Sequence, residues 1–326
     1  MLLLVKKVNI IDVADIKKAY QIIKQHIKKT PLKHSNFFSQ LCGGNVFLKL
    51  ENQQITNSFK IRGALNKMLH LSEEDKMKGV VTASAGNHAQ AVGIGAEKLD
   101  LRAIIFVPKS TPEKKIEKIK TCDVELIING NNYKEAEQEA IYLAKINDMT
   151  YISPYNDKFV IAGQGTIGLE ILDDLPKVDV ILVPVGGGGL ISGISVVVNK
   201  NPDIKLIGVQ SEASPVMYES LKAGKIVDIE KKDSIADGIS GGVEKGSVTF
   251  KICQKYVDEI ILVKENTIKE AIKLFWENEK EISEGAGAVG LAAILENKER
   301  FKNKKTAVII SGGNIDDIIF QKIINN

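Results

Sequence analysis

The sequence predicts an α/β protein of two lobes, each built on a largely parallel twisted sheet flanked by helices. Three observations carry that expectation. Apolar, β-branched runs of strand length recur along the chain, segments with helical apolar spacing separate them, and glycine-rich turns follow several of the strands directly. Strands that alternate with helices pair in parallel, because the crossover helix returns the chain to the same end of the sheet.

Composition narrows the class. At 326 residues the chain is long enough for a full core and two lobes. Apolar residues make up 44% and charged residues 26%, the balance of a globular protein rather than a disordered one. The formal net charge is +3 and no Lys/Arg run is interleaved with aromatics, so nucleic acid is not the indicated partner. The apolar run in the opening MLLLVKKVNI is too short for a signal peptide or a membrane span, and the expected location is the cytoplasm. Cys42, Cys122 and Cys253 are isolated and odd in number, which points to reduced, mostly buried thiols. The histidines at 26, 34, 70 and 88 are equally scattered, so no metal site is expected.

In chain order, the clearest strands are NVFLKLE (45–51), GVVTASA (79–85), RAIIFVP (102–108), VELIIN (124–129), VDVILVPV (178–185), KLIGVQ (205–210) and TAVIIS (306–311). Strands near 80, 103, 125 and 152 make one set, and those near 180, 206 and 308 another. In YKEAEQEAIYLAKIN, Tyr133, Ala136, Ala140 and Leu143 share a helical face. In TIKEAIKLFWENEK the spacing of Ile268, Ala271, Ile272 and Phe275 does the same, with polar Glu279 ending that face. A cleft between two such lobes is where α/β proteins place ligands.

The stretch TNSFKIRGA contains a lysine in an unusual place. Asn57 and Ser58 are good N-caps and 61–71 reads as a helix, so Lys60 falls in or beside the first turn, where the helix dipole repels a cation. It is either a solvated surface charge or an amine kept from protonation, which is a better nucleophile.

Four glycines, Gly186, Gly187, Gly188 and Gly189, follow the strand VDVILVPV and precede a helix beginning near Leu190. They leave several backbone N–H groups to converge on an anion at the helix N-terminus. No Gly-Lys-Ser/Thr follows, so this is not a triphosphate loop. GQGTIG (163–168) matches G-x-G-x-x-G, but the acidic residue that should close a dinucleotide site is missing from the end of the next strand. In SAGNHAQ, Ser84, Gly86, Asn87 and His88 cluster at a helix start, where they serve either as a cap or as donors to a carboxylate. Ser311 of SGGNID stands at the carboxyl end of a strand. An amine, an anion cradle and polar strand ends together are the parts that pyridoxal phosphate requires.

On the ordered motifs SFKIRGA, SAGNHAQ, GQGTIGLEI, VPVGGGGL, IADGI, EGAGA and SGGN, the sequence resembles the fold type II pyridoxal-phosphate enzymes, within them the threonine/serine dehydratase and serine racemase group. The resemblance covers nearly the whole chain. It implies that Lys60 bonds the cofactor aldehyde and then acts as general base, that Phe59 lies beside the ring, and that Asn87 bonds the ring hydroxyl. It also implies that Gly186 through Leu190 hold the phosphate, that Ser311 faces the pyridine nitrogen, and that Ser84, Gly86, Asn87 and His88 receive the substrate carboxylate. The lobes implied are a large domain of 1–65 and 151–326 and a small domain of 66–150 carrying the asparagine loop.

The implied reaction is β-elimination of L-threonine, and of L-serine, to a 2-oxo acid and ammonia by a homo-oligomer. A hydroxyl at Ser311 supports a pyridinium poorly, which favours elimination over transamination. Gln210 and Val216 stand where some members of the group bear metal-binding carboxylates, so no divalent site is expected. The chain stops at Asn326 with no regulatory domain, which points to the catabolic type. The competing expectations are a serine racemase and a non-catalytic pyridoxal-phosphate protein. Racemisation needs a second acid on the ring face opposite the lysine. In the racemases resembled here a serine fills that place, and in this chain it is Ala85.

Overall fold

The computed structural model describes residues 11–230 and 232–325; the opening MLLLVKKVNI lies outside them. In chain order the strands are β1 (Leu32–Ser35), β2 (Asn45–Leu50), β3 (Val80–Ala83), β4 (Ala103–Val107), β5 (Glu125–Ile128), β6 (Thr150–Tyr151), β7 (Val180–Pro184), β8 (Lys205–Ser211), β9 (Glu259–Val263) and β10 (Lys305–Ile310). They form a six-stranded sheet, β1-β2-β10-β7-β8-β9, and a four-stranded sheet, β5-β4-β3-β6. Each sheet with its helices is one lobe.

Every strand pair is parallel except β1 with β2. Parallel sheets are covered on both faces, which is why β4 and β7 are unbroken apolar runs buried at every position. The missed strands are β1 and β9, at the two edges of the larger sheet. LKHS in β1 has no apolar alternation, and antiparallel pairing of Leu32 with Lys49 supplies what local propensity does not. No helix among the described residues is long and apolar enough to cross a membrane.

The helical faces fold as their spacing predicts, with one exception. Ile268, Ala271, Ile272 and Phe275 are fully buried, and Glu279 ends the face by accepting from Ser35 Oγ at 2.5 Å. In the helix Tyr133–Ile146, Ala136 and Ala140 are buried but Tyr133 is 43% exposed, its hydroxyl donating to Glu137.

The helix after TNSF runs Lys60–Leu69, and neither Asn57 nor Ser58 caps it. Phe59 takes the N-cap position without a side-chain bond, Ser58 forms a β-bridge with Gly312, and Phe59 N donates to Ser311 O at 3.1 Å. The loop before the helix is thus held by SGGN rather than by its own cap. This helix crosses the expected 65/66 boundary and packs on both Asn87–Lys98 and Lys158–Asp174, so it belongs to the seam between lobes.

GQGTIG is not a strand-to-helix turn. It lies inside the helix Lys158–Asp174, where Gly163 meets the carbonyl of Arg62 and a Cβ on Gly165 would come within 2.8 Å of Gly193 O. Its glycines let three helices approach backbone to backbone. Beside that contact, Arg62 grips Glu51 with Nε and Nη2, both at 2.8 Å, and Glu170 with Nη1 at 2.7 Å. Lys49 Nζ reaches Glu170 at 2.5 Å, and all four side chains are at most 1% exposed. This neutral set of two cations and two carboxylates fixes the helix that begins with Lys60.

Candidate active site

The loops that end β3, β7 and β10 and the start of the Lys60 helix converge through direct contacts. Lys60 Nζ donates to Pro154 O at 2.9 Å and lies 5.2 Å from the centroid of the Phe59 ring. Tyr155, the next residue, covers the glycine turn: a Cβ on Gly187 would meet its ring at 2.5 Å, and one on Gly189 its backbone at 3.0 Å. Ser311 meets Phe59 through the main chain, and Gly312 adjoins both Glu284 and Asn87. Residues as far apart as 60, 87, 187, 284 and 311 are therefore brought together at the seam between the lobes.

Burial pushes the Lys60 ammonium down to about 8 because the cleft desolvates the charge, and Glu284 only partly opposes the fall. The lysine in TNSFKIRGA is thus an amine of lowered basicity, not a solvated surface cation.

At the glycine turn, Gly188 adopts φ +89, which only glycine takes without strain, and the helix Gly189–Val198 follows. The N–H groups of Gly186, Gly187, Gly188, Gly189 and Leu190 find no acceptor among the described residues. Buried N–H groups are almost always paired, so five consecutive free donors at the positive end of a helix form a ready anion site. Thr249 Oγ1 donates to Gly187 O at 2.6 Å and braces the turn from behind.

The asparagine loop divides its four expected residues. Gly86 faces open space, and the N–H groups of Asn87 and His88 find no acceptor among the described residues. The Ser84 hydroxyl instead accepts from Gly86 N at 3.2 Å within its own turn. The His88 ring is turned inward and buried, its Nε2 donating to Ile152 O at 3.0 Å. Burial, and secondarily the Lys60 charge, push it down to about 3, so it is a neutral ring bracing the 152–154 segment. Only the backbone N–H of His88 is placed to meet a ligand. The Ser311 hydroxyl has no partner among the described residues, and the residue is buried.

Sequence reasoning missed three contributors. Pro154 supplies the carbonyl that holds Lys60. Glu284, in the N-cap position of the helix Gly285–Glu296 but capping nothing, accepts instead from Asn87 Nδ2 at 2.7 Å. Asn314 Nδ2 donates to Asn87 Oδ1, also at 2.7 Å. Burial and the neighbouring Asp237 push the Glu284 carboxyl up to about 7. EGAGA and SGGN carried the only available signal for Glu284 and Asn314. No group of three or more metal-ligating side chains is found among the described residues, and Gln210 is engaged by Tyr218 N at 2.8 Å.

A family model for pyridoxal-phosphate dependent enzymes matches residues 23–313, and the chain belongs to that family. It is 48% identical over 317 residues to the L-threonine ammonia-lyase of Thermotoga maritima, covering 97% of this chain and 78% of that one. It is 46% identical over 313 residues to the catabolic L-threonine dehydratase TdcB of Staphylococcus aureus, covering 94% and 90%. Among solved structures it matches maize serine racemase with a TM-score of 0.90 at 33% identity, covering 96% of this chain and 97% of that one. The cofactor of the family fits the residues present: a desolvated amine for its aldehyde and a five-donor cradle for its phosphate.

Proposed function

We propose that this chain catalyses pyridoxal-phosphate-dependent β-elimination of L-threonine, and of L-serine, to 2-oxobutanoate or pyruvate and ammonia. The observation that carries the reading is the pairing of Lys60, an amine held on Pro154 O and ionising near pH 8, with the unpaired N–H cradle of Gly186 through Leu190. Bound there, the cofactor supplies an electron sink for the pair left at Cα. The chain's own groups do the rest. Gly186 through Leu190 hold the phosphate, Asn87 bonds the ring oxygen, and the Ser311 hydroxyl meets the ring nitrogen as a neutral partner. Gly86 and the free N–H groups of Asn87 and His88 orient the substrate carboxylate. Lys60 takes the α-proton as general base, which requires the neutral amine that its burial favours. The β-hydroxyl departs as water with one proton, and water re-enters when the released enamine hydrolyses to the oxo acid and ammonia.

Ala85 favours the lyase over a racemase, since its methyl has no proton to deliver to the face opposite Lys60. The identity of 46–48% over nearly the whole chain to proteins named as threonine lyases supports the same choice. The division into a small domain of 66–150 and a large domain of the remainder is part of this reading. So are a cytoplasmic location, consistent with three free buried cysteines, and a homo-oligomer, for which Ile141, Tyr142 and Ile146 offer an exposed apolar face.

Incubating the holoenzyme with L-threonine tests the proposal, with 2-oxobutanoate and ammonia expected in equal amounts. L-serine should give pyruvate with little D-serine on chiral chromatography. Abundant D-serine would replace the lyase with the isomerase, and no turnover of either amino acid would overturn both.

A further inference from the structure

Four side chains join end to end across the cleft, alternating between lobes. Lys118 Nζ donates to Asn314 Oδ1 at 2.6 Å, Asn314 Nδ2 to Asn87 Oδ1 at 2.7 Å, and Asn87 Nδ2 to Glu284 Oε1 at 2.7 Å. Lys118 and Asn87 come from the four-stranded lobe, Asn314 and Glu284 from the six-stranded lobe. The direction of this chain is chemically fixed. An ammonium only donates, the Glu284 oxygen facing Asn87 Nδ2 accepts, and each amide has one donating and one accepting end. Asn314 Nδ2 also donates to the carbonyl of Thr56 at 2.9 Å, so turning that amide would set acceptor against acceptor and donor against donor.

An asparagine on its own has no such polarity, because its two amide ends are nearly the same shape. Between Asn314 and Glu284, Asn87 spends its oxygen and one N–H, which leaves the second N–H as the group it can show to a ligand. A ring oxygen would be repelled by the carbonyl end of the same amide. Lys115–Asp237 at 2.7 Å and Lys114–Asp316 at 3.3 Å flank the seam, the first exposed and the second partly so, and neither is bonded to Asn87.

We propose that Lys118, Asn314 and Glu284 are positioning residues that set the amide of Asn87 to present an N–H to the cofactor's ring oxygen. The inference rests on Asn87 being the ring contact described under the proposed function.

The test measures the dissociation constant of pyridoxal phosphate, by fluorescence of the reconstituted protein, for Glu284→Ala, Lys118→Met and the double variant. Each single variant should weaken binding by about three- to tenfold, the net range of one ordinary hydrogen bond. The double variant should weaken it no more than the worse single, because only the one bond from Asn87 to the ring oxygen is there to be lost. Glu284→Gln keeps an acceptor and should bind within about threefold of the unmodified protein. Losses that multiply in the double variant, or a Glu284→Gln as weak as Glu284→Ala, would overturn the chain. Should Glu284→Ala fail to fold, Asn314→Leu with Lys118→Met carries the same comparison. Borohydride reduction of the holoenzyme and peptide mapping separates the two ways of failing. A label on Lys60 with multiplying losses removes only the positioning chain, and a label on another lysine removes the site reading itself.

Discussion

Two clusters of buried charge lie within a few residues of each other along the Lys60 helix, and they are built on opposite principles. Around Arg62, every charge meets an opposite one at hydrogen-bond distance. Burial alone would raise the Glu51 carboxyl, yet Arg62 and Lys49 outweigh it and hold that group below its ordinary range. Around Lys60 the compensation is partial. The ammonium has one carbonyl and a distant carboxylate, and Glu284 has one amide donor, with no bond to Oε2 among the described residues. Burial therefore wins on both, drawing the lysine down and the carboxyl up toward neutrality. Paired buried charge keeps its ionisation and holds a scaffold; under-paired buried charge is left able to exchange protons near pH 7.

Substitutions on the two sides should fail differently. Lys60→Ala removes the covalent anchor and the base together, and elimination should fall by at least about 10²–10⁴-fold. The protein should stay folded by circular dichroism; retained turnover at about a tenth of the unmodified rate would contradict the assignment. Arg62→Met does the reverse. It strands Glu51 and Glu170 without their guanidinium, and urea denaturation of the cofactor-free protein should show a loss of roughly 3–5 kcal/mol. A loss under about 1 kcal/mol would mean that the network is not the scaffold described here. Gly188→Asp is smaller in reach. It forces a side chain onto φ +89 against Met217, 2.9 Å away, and sets a like charge at the anion site. Pyridoxal phosphate should bind about tenfold or more weakly. Unchanged occupancy would move the phosphate away from this turn.

The sequence shows the scaffold and the cradle more readily than the tuning. Gly186 through Leu190 can be read locally, because a strand, a glycine run and a helix are consecutive in the chain. The parallel sheets are equally plain, since apolar runs such as AIIFV and VILVP need no partner to be recognised. Lys60 can be singled out, but its lowered ionisation cannot, because it comes from burial in the folded chain, beside residues as distant as Pro154. Glu284 and Asn87 are 197 residues apart, and no periodicity links them. GQGTIG misleads for the complementary reason: a motif written as a turn is spent on close helix packing, and only the neighbouring Arg62 carbonyl and Gly193 show why glycine is needed there.

The contrast between the clusters rests on Lys60 being an amine of lowered basicity, and its reactivity reports that directly. In the cofactor-free protein, labelling of Lys60 by an amine-directed reagent, followed across pH by peptide mapping, should be half-maximal near pH 8, because only the neutral amine reacts. The same shift has a stability sign. The unfolded chain holds this proton more tightly than the folded one, so Lys60 makes the fold more stable as pH rises from about 8 toward 10.5 and less stable as it falls back. A labelling midpoint near 10.5, the ordinary lysine value, would place Lys60 in solvent and contradict the account.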